Sequence, residues 1–518
     1  MIIRHFSRIL RRDSLGLIIN TTGFSLGLAA SILLAVFIQF ELSFDRHFGN
    51  GSRIYRLNTL WISEGESSEM PINLREAYTE IPDITAGVEE AVQIYRGFGK
   101  EVVSEEERFR ELDLLYADPG FFKIFDLAIL SGSRSDALNA PGKVVLTEEI
   151  AQRIFGTSHA TGETFTTEGE PYTVSAVVRN VPPATHFSFD LLMPMESVPA
   201  LESLGGLEFF TYYLLEEGVN HGPVLETIIR ENNRILTGRF SMFEGSSFDS
   251  RLEPLRRLHL HTRASFDLTT PGSMKTIYIM LVITFAIMVL AFSNFINLYI
   301  LSGARRSKEI GIRKVTGSDR RGLIRQFYLE TTLVVTMAFL LAAILVLYLL
   351  PSFSGLMKRE SFTDVTGTSG LYLILGIIYL VTILIAGFYP ALLLSRADPV
   401  ALIRGAVNPA GDKRSLLRTV SVIQACIAVT LLTILTGIHV QIRHLKNLSP
   451  GYHPDHMVLV SNLNPELTGN FTAIRDRLSS LPGITGVAAS WHTIGGGTSG
   501  QGIRMYGSDP DDLQAVNE

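Results

Sequence analysis

The sequence predicts an α-helical membrane protein with an α+β domain inserted outside the membrane. Five runs contain no Asp, Glu, Lys or Arg, and they cover residues 14–40, 276–304, 331–357, 365–395 and 419–442. About 20 apolar residues are enough to cross a bilayer. Between the first two runs, residues 41–275 show only short alternating segments separated by turn residues. The composition, 46% hydrophobic and 19% charged, agrees with this mixture of spans and aqueous domain.

Composition also narrows the classes of function. The net charge of −6 gives no argument for nucleic-acid binding, so we expect no nucleic acid among the partners. Cys426 is the only cysteine and lies in an apolar run, which excludes a disulfide framework and a cysteine-based metal site within one chain. We expect no cofactor.

The N-terminal segment predicts which side of the membrane the chain starts on. Residues 1–14 form a basic amphipathic helix, with four arginines separated by apolar residues. The uncharged run that follows is longer than the apolar core of a signal peptide, and no A-x-A cleavage site comes after it. We therefore interpret 15–40 as a retained first transmembrane helix that enters from the cytoplasm.

Residues 41–275 are predicted to form the extracytoplasmic α+β core domain. The predicted strands are IYRLNTLWI, GKVVLT, PYTVSAVVRNV, SFDLLMPM and RLHLHTR. The predicted helices are 73–80, 119–125 and 147–155, the last with Thr147 as its N-cap. His259 and His261 alternate on the last strand and would share one face. Zinc needs at least one further ligand, so we interpret them as polar strand residues.

The remaining uncharged runs complete the predicted topology. Further transmembrane helices are expected at 276–303, 327–351, 371–395 and 419–440, and the span 327–351 is expected to end near Pro351. Basic residues concentrate in 304–326 and 396–418, and with the N-terminal arginines they fall on one face of the first four spans. The positive-inside rule places that face in the cytoplasm.

Three polar side chains inside these spans predict helix contacts. Asn294, Asn297 and Gln424 are costly in lipid and should face other helices or subunits. A substrate path is the alternative role, and packing is the interpretation we prefer.

The last part of the chain echoes the first. The fifth run again has basic residues before it and soluble sequence after it, and MVLVSNLN resembles IYRLNTLW. We interpret 441–518 as the start of a second, incomplete extracytoplasmic domain, and we expect the chain to be a fragment of a longer protein.

Several stretches carry a family resemblance. SNFINLYILSGARRSKEIGIRKVTGSDRRGLIRQFYLE resembles the signature of FtsX-like, MacB-type permeases of ABC transporters. YADPGFFKIFDLAILSGS and VVLTEEIAQRIFG resemble the periplasmic core domain of the same family, and GFYPALLLSRADPVALIRG resembles the end of the FtsX-like domain. The resemblance implies a multi-pass protein of the inner membrane.

The resemblance also implies a coupling role for the basic segment 304–326. In this family the corresponding loop docks on an ATP-binding subunit. The implied docking residues are Glu309, Arg313, Lys314 and Arg320, with Gly317 allowing the turn between two short helices. Glu309 and Arg313 also stand at a favourable i,i+4 spacing. The charges alone would equally fit a simple topology anchor; the whole pattern favours coupling.

The sequence does not predict an enzyme. It contains no G-x-x-x-x-G-K-[ST] motif, and the nearest match, APGKV, lacks the first glycine and the hydroxyl residue. The ATPase would therefore be a separate cytoplasmic chain. The resemblance implies a permease homodimer or heterodimer, allows a periplasmic partner, and implies export, lipoprotein release or mechanotransmission. A membrane receptor whose outer domain binds a ligand is the alternative function, although the cytoplasmic segments are too short for an output module.

Overall fold

A computed structural model of the chain describes most of the first two-thirds and parts of the rest. The described residues are 14–63, 66–97, 100–104, 107–167, 169–241, 246–264, 266–305, 312, 315–316, 320–357, 372–373, 375–384, 414–448, 456–460, 470–489, 500–503 and 514–517.

The secondary structure divides into long apolar helices and a mixed domain. The helices are α1 Ser14–Ser43, α2 Glu76–Thr79, α3 Ile81–Ile84, α4 Phe121–Ile124, α5 Glu148–Phe155, α6 His221–Arg239, α7 Leu255–His261, α8 Met274–Arg305, α9 Arg320–Leu356, α10 Leu375–Leu384, α11 Arg414–Asn447 and α12 Phe471–Ser479. The strands are β1 Ile54–Ser63, β2 Glu66–Met70, β3 Val88–Arg96, β4 Lys100–Ser104, β5 Glu107–Leu112, β6 Leu114–Ala117, β7 Ile129–Gly132, β8 Lys143–Thr147, β9 Thr164–Thr167, β10 Glu170–Val178, β11 Leu191–Pro194, β12 Phe210–Leu215, β13 Ser246–Pro254, β14 Gly500–Ile503 and β15 Gln514–Asn517.

Within the described residues, four helices are long and apolar enough to cross a membrane. They include the stretches Ile18–Ser43, Met274–Leu298, Tyr328–Leu356 and Arg418–Asn447. Helix α10 lies inside the fourth predicted span but is shorter, and the rest of that span lies outside the described residues. The number of passes and the domain boundaries therefore remain predictions.

Helix α1 packs between α8 and α9. A Cβ on Gly27 would lie 2.6 Å from Ala291 Cβ, so α1 and α8 approach closely where a larger residue would separate them. The rings of Phe24 and Phe295 fill the adjacent layer, with centroids 4.8 Å apart. The buried side chains of Val335, Ala338 and Ala342 on α9 belong to the same apolar cluster.

Two of the three intramembrane polar residues, Asn297 and Gln424, face other helices as predicted, whereas Asn294 is exposed. Asn297 Nδ2 on α8 donates to Gln424 Oε1 on α11 at 3.3 Å, and Gln424 Nε2 lies 3.5 Å from the Leu290 carbonyl oxygen. One detail of the prediction is wrong. The third span was expected to end near Pro351, but α9 continues to Leu356 with Pro351 inside it.

The outer domain is built on one large mixed sheet. Its strand order is β13-β1-β12-β3-β6-β11-β8-β10-β9-β4-β5, with β2 paired to β1 and β7 to β10. Most pairs are antiparallel, while β8 pairs with β10 and β6 with β11 in parallel. The α+β class predicted from the sequence is confirmed, because strands and short helices alternate without a regular βαβ order.

Each face of the sheet has its own core. On one face, a cluster rich in phenylalanine includes Phe121, Phe125 and Phe187 and packs over β1, β3 and β12. On the opposite face, α6 covers Leu57 and Tyr213 with its buried Val224 and Ile228.

Two predictions within the domain are corrected. RLHLHTR was predicted as a strand, but its first five residues lie in α7. The alternation of Leu258 and Leu260 suggested a strand; the buried Leu255 and Leu258 show that the i,i+3 spacing of a helix prevails. Thr147 stands at the N-cap of α5 without forming a side-chain cap. Instead, Asn180 Oδ1 accepts from the Glu149 backbone N–H at 2.9 Å.

Candidate functional site

The junction between the membrane helices and the outer domain is the candidate functional site. Helix α1 ends at Ser43, and the chain turns at Asp45, whose φ of 58° is left-handed. Such a conformation is strained for most non-glycine residues and persists only where neighbouring contacts hold it. The Asp45 backbone N–H donates to the Ala184 carbonyl at 2.9 Å, which ties the end of α1 to the domain.

A buried acid–imidazole pair joins three elements at this junction. His259 Nε2 on α7 lies 2.7 Å from Glu41 Oε2 in the last turns of α1, and both side chains are almost fully buried. The ring of Phe44 stacks on His259 with centroids 3.4 Å apart. Gly272, two residues before α8, closes over the pair. A Cβ there would lie 2.5 Å from Glu41 Oε2, so any other residue would displace the carboxylate.

A second buried group connects the same turn to the sheet. Asp45 Oδ1 accepts from His186 Nδ1 at 2.8 Å and from the His186 backbone N–H at 3.1 Å. Because a carboxylate only accepts, His186 carries a proton on Nδ1, and its Nε2 lies 2.9 Å from Tyr212 Oη. Burial raises the pKa of Tyr212, so the phenol keeps its proton as a donor.

The polar chain continues to an ion pair under β1. Arg56 NH1 donates to Asp267 Oδ1 at 2.7 Å, with Arg56 fully buried. Burial alone would lower the pKa of Arg56, but Asp267 and Tyr212 outweigh it and raise that pKa, so the guanidinium remains charged. Asp267 belongs to the loop that runs from α7 to α8. The chain of contacts thus links α1, the sheet and the segment entering α8.

Two further carboxylates border this chain. Asn58 Nδ2 donates to Glu69 Oε1 at 2.7 Å and lies 3.3 Å from Glu253 Oε2. Burial, followed by the nearby Glu69 charge, raises the pKa of Glu253 above its ordinary value. Arg251 NH1 binds the second oxygen of Glu69 at 3.3 Å.

This geometry suits a mechanical role better than a catalytic one. Removing one partner from a buried ion pair costs about 3–5 kcal/mol, so the Arg56–Asp267 contact is costly to separate. The Asp45–His186 pair leads to Tyr212, which is 0% exposed, and not to a nucleophile open to substrate. Among the described residues, no group of three or more His, Cys, Asp or Glu side chains is arranged to hold a metal ion.

The structure describes only one of the five predicted coupling residues. Glu309, Arg313, Lys314 and Gly317 lie outside the described residues, and Arg320 is the first residue of α9. Between them, the Thr316 backbone N–H donates to the Ile312 carbonyl at 2.9 Å, which closes one helical turn. The docking roles of all five residues remain predictions.

The histidine pair of the sequence prediction is separated by the structure. His259 is buried against Glu41, whereas His261 is exposed, so the two do not share a face. Sequence reasoning missed the roles of Glu41 and Asp45. Their signal was available, because both are acidic residues placed directly where an uncharged run ends. Nothing in the sequence pointed to His186 as the partner, since 141 positions separate it from Asp45.

Family comparisons match most of the described part of the chain. Residues 17–230 match the sequence model of the MacB-like periplasmic core domain, and residues 281–399 match that of the FtsX-like permease C-terminal region. The first match contains most of α1 and most of the outer domain, and the second contains most of α8, the basic segment and α9.

Curated relatives match over shorter parts of their own length. A protein named pyoverdine export ATP-binding/permease protein PvdT from Pseudomonas syringae pv. syringae is 25% identical over 305 residues, 55% of this chain and 42% of the relative. The protein of the same name from Pseudomonas syringae pv. tomato is 29% identical over 160 residues, 29% of this chain and 23% of the relative. The chain thus spans less than half the length of these relatives.

Solved structures also align with part of the chain. A permease protein's domain from Porphyromonas gingivalis aligns with a TM-score of 0.37 and 19% identity, covering 45% of this chain and all of that domain. The periplasmic region of MacB from Actinobacillus actinomycetemcomitans gives a TM-score of 0.28 and 18% identity over 39% of this chain and 89% of that region. The two family domains follow each other in the expected order, and the chain belongs to the MacB/FtsX type of ABC transporter permease.

Proposed function

We propose that this permease couples ATP hydrolysis by a separate cytoplasmic ATPase to movement of its outer domain. The observation that carries the proposal is the junction, where Glu41, His259 and Gly272 bind α1, α7 and the segment entering α8 together. A soluble domain that was only tethered to the membrane would not require a buried acid–imidazole pair at that point. We expect such a pair in a domain that transmits force, because the pair holds the domain against the end of α1.

The first step of the proposed mechanism is docking of the ATPase on residues 304–326. This segment joins the end of α8 at Arg305 to the start of α9 at Arg320. Glu309, Arg313, Lys314 and Arg320 would contact the ATPase, and Gly317 would allow the turn. When two ATPase subunits close around ATP, the segment would shift and carry the cytoplasmic ends of α8 and α9 with it.

The second step is transmission along the helices. Helix α8 has 32 residues, so at 1.5 Å per residue it forms a lever of about 48 Å. Its close contact with α1 at Gly27 makes the two helices move together. At the outer end both helices meet the polar junction, and their displacement would become a rotation of the domain about Asp45.

The substrate and the assembly are part of the same proposal. The curated relatives are named for pyoverdine export. For this chain we propose an export-type function, with lipoprotein release or mechanotransmission as the related outcomes of the same motion. The permease would act as a homodimer or heterodimer, one ATPase per copy, together with a periplasmic partner.

Docking is tested by co-purification. The tagged chain is co-expressed with candidate ABC ATPases and isolated in detergent as the wild type, as Arg313→Glu and as Arg418→Glu, an exposed arginine of α11 that serves as the control. We expect the ATPase with the wild type and the control and not with Arg313→Glu. Retention by all three would remove Arg313 from the contact. Absence of an ATPase from intact wild-type protein would favour the receptor function.

Transmission is tested separately on a chain that still binds its ATPase. Replacing Cys426 with Ser frees the protein for labelling at one introduced cysteine in α6, and the distance between labels in a dimer is measured with and without ATP. We expect an ATP-dependent change in the parent protein that Gly272→Ala abolishes, because the added Cβ displaces Glu41 from His259. An unchanged response in Gly272→Ala would show that the junction does not transmit the motion.

A further inference from the structure

We propose that the base of the outer domain binds the headgroups of anionic phospholipids in the leaflet that faces it. The binding surface, here called the basic collar, consists of the exposed cations Arg46, Arg256, Arg257, Arg263 and Lys275. This inference depends on the domain sitting next to the membrane and does not depend on the coupling mechanism.

All members of the basic collar lie where the membrane helices meet the domain. Arg46 follows the end of α1 at Ser43, and Lys275 is the second residue of α8. Arg256 and Arg257 are on α7, the helix whose His259 contacts Glu41 of α1. A Cβ on Gly51 would lie 3.4 Å from both Arg256 Nε and the Asp45 carbonyl oxygen, which places Arg256 beside the turn after α1. Arg263 begins the loop that returns to α8.

The buried acidic groups of this region form their contacts with other residues and not with the basic collar. Glu41 and Asp45 are buried against histidines, and Asp267 is buried against Arg56. In the described part of the chain, none of the five cations forms an ion pair. Partial burial lowers the pKa of His47, so that imidazole adds no positive charge near pH 7. The exposed surface beside the bilayer therefore carries five cations, against the exposed carboxylates of Asp126, beside Gly49, and Asp113, beside Leu268.

This charge lies on the side where basic residues are not expected. The positive-inside rule concentrates Lys and Arg beside the cytoplasmic ends of spans, and the family has its core domain in the periplasm. Five cations without ion-pair partners near the outer ends of α1 and α8 therefore indicate a negatively charged ligand. Phosphodiester headgroups are the negative groups that lie at that depth, and guanidinium groups match phosphate oxygens in charge and geometry.

An exposed aromatic ring adjoins the basic collar. Phe266 is 59% exposed, and its φ of 64° is left-handed, a conformation that bulky residues rarely adopt. It is held there by Asp267, which binds Arg56, and by Leu268, which is buried in the domain core. An exposed aromatic ring beside basic residues is typical of a protein surface that contacts the membrane interface. We assign Phe266 to the apolar part of the same lipid surface.

The test places a photoreactive benzoylphenylalanine at Phe266 in the full chain. The protein is reconstituted in vesicles of phosphatidylcholine with increasing fractions of phosphatidylglycerol, and cross-linked lipid is identified by mass spectrometry. A second probe replaces Ile84, an exposed apolar residue of α3 that is not part of the basic collar. We expect cross-links to phosphatidylglycerol from position 266 and none from position 84.

The charge contribution is tested by R256Q/R257Q, with R230Q/R234Q on α6 as the matched control. Each cation near an anionic surface strengthens association about fivefold, so R256Q/R257Q should weaken association with phosphatidylglycerol about 25-fold and move half-maximal cross-linking to a higher phosphatidylglycerol fraction. The control should not change it, and excess inorganic phosphate should not abolish cross-linking. Equal cross-linking to both lipids, no cross-linking, or suppression by free phosphate would each overturn the proposal. ATPase co-purification, measured on the same samples, reports on the proposed function independently.

Discussion

Helices α1 and α11 begin from similar sequence and end in different surroundings. Both follow basic residues, both are apolar over more than a full span, and their sequences weakly echo each other. In the most apolar window of α1, 61% of the residues are buried inside the protein, whereas in the corresponding window of α11 none are. The apolar sequence is therefore enough to predict that both helices enter the membrane, but it does not predict how tightly either helix packs against the rest of the protein.

The contacts that fix α1 are small residues and buried polar groups. Gly27 allows α8 to approach, and Glu41 and Asp45 bind histidines of the outer domain. Helix α11 meets α8 mainly at Gln424, and its last turns carry the exposed Arg443 and His444. The comparison teaches that the polar end of α1, and not its apolar body, connects the membrane helices to the domain.

The largest effect is expected when the buried ion pair between Arg56 and Asp267 is broken. Asp267→Asn leaves Arg56 charged and buried without its counter-ion, so the free energy of unfolding should fall by about 3–5 kcal/mol. Unfolding in detergent is followed by the fluorescence of Trp61 on β1, in a Trp491→Phe background. Glu89→Gln, which removes the exposed partner of Arg53, serves as the control and should cost at most about 1 kcal/mol. Equal losses in the two variants would contradict the role given to the buried pair.

A smaller effect should distinguish the packing of α1 from the packing of α11. Gly27→Val pushes a side chain into Ala291 and should destabilise the helix bundle by about 1–3 kcal/mol. Gly437→Val is the matched change on α11, where an added Cβ has no neighbour within 4 Å, and it should have little effect. Helix content measured by circular dichroism during titration with a denaturing detergent gives both values. A comparable loss in Gly437→Val would mean that α11 is packed as tightly as α1.

The smallest expected effect concerns pH. Because burial and Glu69 raise the pKa of Glu253 in the folded protein, its ionisation opposes folding. This destabilisation is absent below the ordinary pKa of 4.5 and develops as the pH rises through the folded value. Glu253→Gln should therefore raise the melting temperature at pH 7 and not at pH 4.

Glu231→Gln provides the opposite case for the same measurement. Hydrogen bonds from Arg234 and Arg230 lower the pKa of the partly exposed Glu231, so its removal should not raise the melting temperature at pH 7. A rise in both variants would assign the effect to net charge and not to the burial of Glu253.

The sequence predicted the outer domain well where pattern and burial coincide. The segments of β1, β8 and β10 alternate or run apolar between turn residues, and all three are strands. It failed at α7, where LHLH satisfies both a strand and a helix pattern over four residues. There, the packing of Leu255 and Leu258 under the sheet selects the helix. Short segments of this kind are decided by contacts that lie outside them.

By itself, the sequence determined which runs are apolar enough to enter a membrane, where the mixed domain lies between them, and the motifs of its family. These properties depend on composition and on the spacing of neighbouring residues, and both can be read without knowing how the chain folds. Only the tertiary structure decided that Glu41 meets His259, that Asp45 reaches Tyr212 through His186, and that Gly272 closes over the first pair. The partners of Glu41 and Asp45 are 218 and 141 positions away along the chain, and no local pattern relates residues at such distances.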